Sequence, residues 1–164
     1  MADREYFQDY MPGDIRFGCG TANPEGLKIR SFWEGNDGVC LWQPDERFQG
    51  WGGITCGGII ATLIDCHCMA TAMATAIRNE NRPLSSEPHY RFATGSLHIR
   101  YLKPTPIDQP LTLRAHVTEI KDTRKYILAC DLYVGSVKTV EATVVGVLVY
   151  RSDQPEEHEI WAKE

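Results

Sequence analysis

One carboxylate stands alone in a long apolar segment of this sequence. Between residues 53 and 77, Asp65 is the only residue with a formal charge. An ionised carboxylate in the middle of an apolar helix costs free energy unless the protein gains something from its charge. Asp65 is therefore a candidate functional residue, and the alternative is a buried aspartate held by hydrogen bonds.

The same segment offers a second chemical group at its start, where Gly57 and Gly58 are adjacent. If a helix begins near Gly57, the first backbone N–H has no partner within the helix and lies at the positive end of the helix dipole. Such a donor is suited to polarise a carbonyl oxygen, and glycine allows a substrate to approach the backbone closely. The alternative is that the glycines only pack the helix start against a strand.

The spacing of these two groups constrains the assembly. Gly57 and Asp65 are eight residues apart, which is about 12 Å along a helix axis. They cannot both contact one carbonyl group from the same helix. A site that uses both must combine the helix start of one protomer with the helix middle of another. The spacing therefore predicts at least a dimer with two equivalent sites.

The predicted helix, from residue 57 to about residue 78, is apolar on all sides. The apolar segment is long enough to cross a bilayer, but Asp65 near its middle would cost roughly 2.5–3.5 kcal/mol in a membrane. We therefore predict no membrane span and a helix that is buried on all sides. A chain of this size can bury such a helix only by wrapping other elements around it.

The wrapping elements are strands. We predict a loop at residues 79–92, followed by a strand. In this strand Leu97, Ile99 and Tyr101 face one side, as in the two-residue alternation of β structure, and prolines at 104 and 106 end it. Three further segments downstream have strand patterns, and short connections predict an antiparallel meander; two more candidate strands precede the helix. The predicted fold class is α+β, with a curved antiparallel sheet of five to six strands around one long central helix.

Composition sets the remaining limits. The chain has 164 residues, enough for one domain, and a formal net charge of −5, which argues against nucleic acid as a partner. The first ten residues are polar and acidic, unlike a secretory signal. We therefore expect the six cysteines to be reduced thiols in a cytoplasmic protein.

Several short motifs occur in an order that resembles a known family. They are GCGTANPEGL from Gly18, FQGWGGITCGG from Phe48, Asp65 nine positions after Cys56, and Tyr101-Leu102-Lys103-Pro104. This arrangement is similar to that of hotdog-fold acyl-CoA thioesterases of the phenylacetate-degradation (PaaI-like) type. The resemblance covers most of the chain, and we predict a thioesterase domain at residues 17–151. The charged ends predict a peripheral N-terminal segment (1–16) and a charged C-terminal tail (152–164).

The resemblance implies a reaction and roles for individual residues. Hydrolysis of an acyl-CoA thioester would use Asp65 as base or nucleophile, the Gly57 N–H as oxyanion donor, and Thr94 to position the carboxylate or water. The predicted substrate-binding residues are Gln49, Cys56, Gly58, Lys103, Arg124 and Lys125. Coenzyme A enters as part of the substrate, no other cofactor or metal is expected, and the protein is expected to be a homodimer or a dimer of dimers.

Two departures from the family pattern bear on the chemistry. Cys56 replaces the family's motif histidine, and Arg16 replaces a cysteine that often precedes Cys19 by three residues. We expect Cys56 to be a small substitute rather than a nucleophile, because His67 lies eleven residues away on the same helix. The consecutive residues Cys66, His67 and Cys68 cannot converge on one metal from a helix, because neighbours point about 100° apart.

Two other functions on the same fold stay open at this point. One is a non-catalytic acyl-CoA-binding protein, in which the cysteine at position 56 marks lost catalysis. The other is a hotdog dehydratase or hydratase, which we rank lower because no His/Asp pair is suitably placed for chemistry at an α,β-double bond. Fold alone supports all three functions equally, so the choice depends on Asp65 and Gly57.

Overall fold

A computed structural model describes residues 3–11 and 15–154 of the chain. Within these residues the fold has one long helix, α1 (Gly57–Asn79), and six strands. Short 3₁₀ helices lie at Phe7–Tyr10 and Glu46–Phe48. The strands are β1 (Ser31–Glu34), β2 (Asp37–Trp42), β3 (Tyr90–Tyr101), β4 (Leu111–Lys121), β5 (Lys125–Val134) and β6 (Val137–Arg151).

Helix α1 confirms the predicted central helix, ending one residue beyond the expected position. Every residue from 67 to 74 is buried, whereas Gly57, Gly58 and one side of the first half of the helix are open. The helix is long and apolar enough to cross a membrane, yet 67% of its apolar window is buried inside the protein. Burial in the core therefore accounts for its apolar composition. The prediction of burial on all sides is wrong for the first half, where the helix keeps an accessible face.

The strands form one antiparallel sheet in the order β1-β2-β4-β5-β6-β3. The six strands and the central helix confirm the predicted α+β architecture. The predicted meander is correct for β4, β5 and β6, but β3 pairs with β6 rather than with β4. The connection at residues 102–110 is long enough to cross from one strand to the other, and the backbone of Thr105 accepts a hydrogen bond from Thr55 N at 2.8 Å. As a result, β3 is an edge strand.

The core also differs from the predicted boundaries at two places. Phe7, in the segment expected to be peripheral, is fully buried, and Gln8 Nε2 donates to Ser31 Oγ at 3.1 Å. β3 begins at Tyr90, inside the predicted loop, and Tyr90 Oη donates to Glu80 Oε1 at 2.6 Å. Aromatic side chains near the ends of elements are thus recruited to cover α1. Most of the predicted C-terminal tail lies outside the described residues.

Candidate active site

The start of α1 is presented by an ordered loop. Gln49 Oε1 accepts a hydrogen bond from Gly53 N at 3.0 Å, and Gly50 N donates to Ile54 O at 2.8 Å. Cys56 N donates to Phe48 O at 2.9 Å, which fixes the residue that precedes the helix. Gln49, which the sequence predicts to bind substrate, is therefore hydrogen-bonded to the loop itself in this structure.

The first turn of α1 offers backbone donors to a cleft. Cys56 is the N-cap residue, with φ −58° and ψ 132°, and its side chain makes no capping hydrogen bond. Gly57 and Gly58 are exposed, and a Cβ placed on Gly58 would meet only Cys56 Sγ, at 3.9 Å. First-turn N–H groups carry partial positive charge from the helix dipole. The geometry therefore suits an acceptor oxygen at this helix start.

The cleft beside the helix start has a volume of about 790 Å³. Its wall is mostly apolar or aromatic and includes Trp51, which is 85% exposed, and Tyr101, which is 52% exposed. Lys103 supplies a cation, and Cys56 and Gly57 form the part of the wall nearest the helix. Such a lining fits a ligand with an apolar portion and a negatively charged portion.

Asp65 lies about two turns further along α1 and is half-buried. Thr94 Oγ1 donates a hydrogen bond to Asp65 Oδ1. Thr94 is exposed and lies within β3. A side chain of the edge strand β3 therefore holds the carboxylate, and the space around the carboxylate stays accessible.

A β-bulge next to Thr94 is what allows this contact. Thr94 pairs with Gly146, whereas Ser96 pairs with the adjacent Val145, so Gly95 is an extra residue in β3. A Cβ on Gly95 would lie 3.3 Å from Val147 Cγ2, and one on Gly146 would lie 2.9 Å from Met69 Cε. The missing side chains thus let β3 lie close to β6 at Gly95, and let β6 lie close to α1 at Gly146, one turn beyond Asp65. Bulges are common near active sites because they redirect side chains.

The structure divides the predicted site residues into separate groups. Cys56, Gly57 and Lys103 meet at the cleft, and Asp65 meets Thr94, but one chain does not bring the two groups together. Arg124 lines a different cavity of about 450 Å³ near Asn79, at the other end of α1. There its Nη2 donates to Leu148 O at 3.0 Å. Lys125 is the first residue of β5 and is exposed.

His67 has a structural role. It is fully buried; Nε2 lies 3.0 Å from Gly38 O and Nδ1 lies 2.8 Å from Ser31 Oγ. The carbonyl requires Nε2 to be the protonated nitrogen, so Nδ1 accepts from the serine hydroxyl. Burial lowers the pKa of His67 to about 4, although the bond to Gly38 opposes the shift. The ring is therefore neutral near pH 7 and closed to ligands.

The six cysteines are all free thiols. Cys66 is hydrogen-bonded to Cys19, and this bond, ahead of the positive charge of Arg16, lowers the pKa of Cys19 to about 7. The same bond and burial raise the pKa of Cys66. The side chains on either side of His67 are thus engaged with thiols from other elements, Cys66 with Cys19 and Cys68 with Cys130.

Sequence reasoning missed the site roles of two aromatic residues. Trp51 lies in the loop before α1, and Tyr101 Oη donates to Gly57 O at 2.7 Å. Tyr101 is part of the Tyr101-Leu102-Lys103-Pro104 motif, but the alternation of residues along its strand predicts only that its side chain points toward the core. No sequence signal places that hydroxyl on the helix start.

Comparison with known proteins identifies the family. The sequence-family model of the thioesterase superfamily matches residues 52–128 of this chain. A thioesterase superfamily protein from Shewanella loihica PV-4 has 31% identity and a TM-score of 0.59, with 73% of this chain and 89% of that chain covered. No curated protein sequence matches significantly.

More distant structures share the fold. The PaaI protein of the Escherichia coli phenylacetic acid degradation operon has 11% identity and a TM-score of 0.60, with 76% of this chain and 81% of that chain covered. A Streptococcus mutans UA159 protein, whose structure was determined bound to acetyl-CoA, has 14% identity and a TM-score of 0.57, with 73% and 87% covered. The hotdog fold expected from the motifs is confirmed. Because of its identity to the Shewanella protein over most of that chain, this chain belongs to the thioesterase superfamily.

Proposed function

We propose that this protein hydrolyses acyl-CoA thioesters to a free acid and CoA. The observation that carries the proposal is the contact between Thr94 and Asp65, which presents a half-buried carboxylate at an accessible position of an otherwise apolar helix. Membership of the thioesterase superfamily supports the reaction class. The acetyl-CoA held by the Streptococcus mutans protein supports a CoA thioester as the ligand.

In the proposed reaction the thioester carbonyl oxygen accepts a hydrogen bond from the Gly57 N–H. As a nucleophile adds to the carbonyl carbon, negative charge develops on that oxygen, and a fixed donor stabilises it. Collapse of the tetrahedral intermediate breaks the C–S bond and releases CoA as a thiolate. A strong general acid is not required, because thiols are stronger acids than alcohols.

Asp65 serves this reaction in one of two ways. As a base it takes a proton from water, and the resulting hydroxide adds to the carbonyl carbon. As a nucleophile it adds directly, forming a mixed anhydride that water then hydrolyses. In both cases the bond from Thr94 orients the carboxylate, so both routes require these two residues.

We propose that each site is shared by two protomers of a homodimer, or of each dimer in a dimer of dimers. Gly57 and Asp65 are about 12 Å apart along one helix, too far to act on one carbonyl. β3 is an edge strand with residues 94–98 exposed, and an unpaired edge can accept another strand. Pairing of two copies along β3 would give two equivalent sites beside the two Asp65–Thr94 pairs.

The ligand's charge requires a local cation. The protein has a net charge of −5, which opposes an anionic CoA, so the phosphates need a specific partner. Lys103 at the cleft is our proposed partner, with Cys56 and Gly58 lining the path of the thioester. Arg124 and Lys125 lie away from this cleft in one chain and take part only if a second copy brings them close.

A panel of acyl-CoA substrates with detection of the free thiol tests the proposal. Wild-type protein should release CoA, and Asp65→Asn should lower kcat by about 10²–10⁴-fold, the usual contribution of a general base. Asp108→Asn, in an exposed loop, is the matched control and should match wild type. An Asp65→Asn protein with wild-type turnover would refute the assignment.

The same panel tests the binding-protein alternative, which the cysteine at position 56 of the cleft wall keeps open. A non-catalytic binder would bind acyl-CoA in equilibrium dialysis without releasing CoA. That result would replace the hydrolase proposal while leaving the ligand class intact.

A further inference from the structure

Tyr101 makes a contact that the proposed chemistry has not used. It is the last residue of β3, and its ring lines the cleft at the start of α1. Its hydroxyl donates to the Gly57 carbonyl oxygen at 2.7 Å, and the ring carbons nearest a Cβ built on Gly57 would lie 3.6 Å from it. The side chain therefore touches the turn that supplies the proposed oxyanion donor.

This hydrogen bond acts on the peptide group between Gly57 and Gly58. A carbonyl oxygen has two lone pairs, so it accepts the tyrosine hydroxyl in addition to the helix's own hydrogen bond. Donation to the carbonyl polarises the whole amide, which strengthens the Gly58 N–H as a donor. It also holds a glycine pair that would otherwise be conformationally free. Because the hydroxyl proton is committed to Gly57, Tyr101 is not itself positioned to protonate the substrate.

The hydroxyl keeps its proton under ordinary conditions. Partial burial of the side chain, followed by electrostatic repulsion from Cys56, raises the pKa of Tyr101 above its usual value of 10.0. The phenol is therefore neutral near pH 7 and remains a donor to Gly57.

The same strand carries the other contact of the site. Thr94 and Tyr101 are seven residues apart, and in a regular strand side chains separated by an odd number point to opposite faces. Both nevertheless reach α1, because the extra residue at Gly95 changes the alternation between them. Phe92 before the bulge and Ile99 after it both pack against the core, which agrees with this change. β3 thus fixes the carboxylate and the helix start together.

We infer that Tyr101 is a positioning residue, whose hydroxyl holds the backbone of Gly57 at the start of α1 so that the Gly57 N–H, together with the polarised Gly58 N–H, faces the thioester carbonyl. This inference rests on the proposed function. It assigns to Tyr101 an effect on transition-state stabilisation, with little effect on substrate binding.

Tyr101→Phe removes only the hydroxyl and is the direct test. Loss of one neutral hydrogen bond predicts a decrease in kcat of about 3- to 10-fold, with KM changed by less than about twofold. Tyr133→Phe is the matched control, because Tyr133 lies on β5 and its hydroxyl is 3.5 Å from Asp131 Oδ2. The control should show wild-type kcat.

A vibrational measurement separates positioning from a general loss of structure. The panel substrate that wild type hydrolyses fastest is labelled with ¹³C at its carbonyl and bound to Asp65→Asn protein. First-turn donors should shift the carbonyl stretch to lower frequency, and adding Tyr101→Phe should reduce that shift. The frequency belongs to bound molecules, so it does not depend on the folded fraction.

The possible outcomes are distinguishable. If wild-type protein hydrolyses no thioester in the panel, the proposed function fails and this inference fails with it. If wild type is active but Tyr101→Phe has the same kcat and the same carbonyl frequency, the inference alone is overturned. A lower kcat together with a smaller frequency shift supports it.

Discussion

Replacing Gly57 with proline would remove the proposed oxyanion donor and leave the helix in place. Proline is well tolerated at the first position of a helix, where its missing N–H has no partner within the helix. Gly57 occupies that position, and Cys56 before it has ψ 132°, which is compatible with a following proline. A Cβ at residue 57 would contact Tyr101 Oη at 3.5 Å, an ordinary van der Waals distance.

The expected cost follows from the role of the donor. Removal of one oxyanion-hole hydrogen bond lowers kcat by about 10²–10³-fold, or about 3–4 kcal/mol of transition-state stabilisation. Gly57→Ala is the matched control, because it adds the same Cβ but keeps the N–H. The ratio of the two kcat values, measured by release of free CoA, therefore isolates the hydrogen bond. Equal kcat values for the proline and alanine variants would refute the oxyanion assignment.

The same variant tests whether the site is shared. Gly57→Pro and Asp65→Asn proteins should each be nearly inactive alone. If each site takes its helix start from one protomer and its carboxylate from the other, a mixed dimer contains one intact site. With random assembly after equal co-expression, half of the dimers are mixed, so a quarter of the wild-type sites and activity should return. If both groups act within one protomer, no activity returns.

The remaining predictions concern three other residues. Thr94→Ala should lower kcat about 10- to 100-fold through loss of a hydrogen bond to a charged group, while Thr94→Ser should retain most of the wild-type kcat. Equal decreases in kcat for the alanine and serine variants would contradict the role of the hydroxyl. Lys103→Gln should raise KM for acyl-CoA but not for a phosphate-free N-acetylcysteamine thioester, and equal effects on both substrates would exclude a phosphate contact. Lys121→Gln, at an exposed position at the end of β4, is the control. The pKa of His67 is about 4 in the folded protein against 6.5 in the unfolded chain, so lowering the pH favours the unfolded chain, which binds the proton more tightly. The contribution of His67 to the free energy of unfolding is therefore complete above pH 6.5 and should fall by about 2 kcal/mol at pH 5. Urea unfolding at pH 7 and pH 5 measures this difference in the free energy of unfolding. If a His67→Asn protein loses as much stability as wild type between these pH values, His67 is not the cause of the loss.

Much of the fold could be predicted because local patterns reflect it directly. The apolar run that contains Asp65 requires a buried helix, and the predicted start at Gly57 agrees with the structure. Residues 97–101 follow the two-residue alternation of a strand. The spacing between Gly57 and Asp65 indicates that one helix cannot supply a whole site, because the helical rise per residue is fixed.

Other features depend on contacts between residues distant in sequence. Pairing of β3 with β6 rather than β4 follows from how the sheet closes around α1, and no local pattern encodes it. Lys103 and Arg124 are both predicted to bind substrate and both lie near strand ends, but the sheet places them at cavities near opposite ends of the helix. Charge and strand position alone therefore could not group the cations.

By itself, the sequence determined a long central helix with an isolated carboxylate, a glycine pair at its start and strands to cover it. Only the tertiary structure decided which side chains meet these groups. Thr94 reaches Asp65 and Tyr101 reaches Gly57 because one extra residue at Gly95 changes the facing of β3 between them. Side-chain alternation is a local property, whereas a bulge is defined only by pairing with another strand.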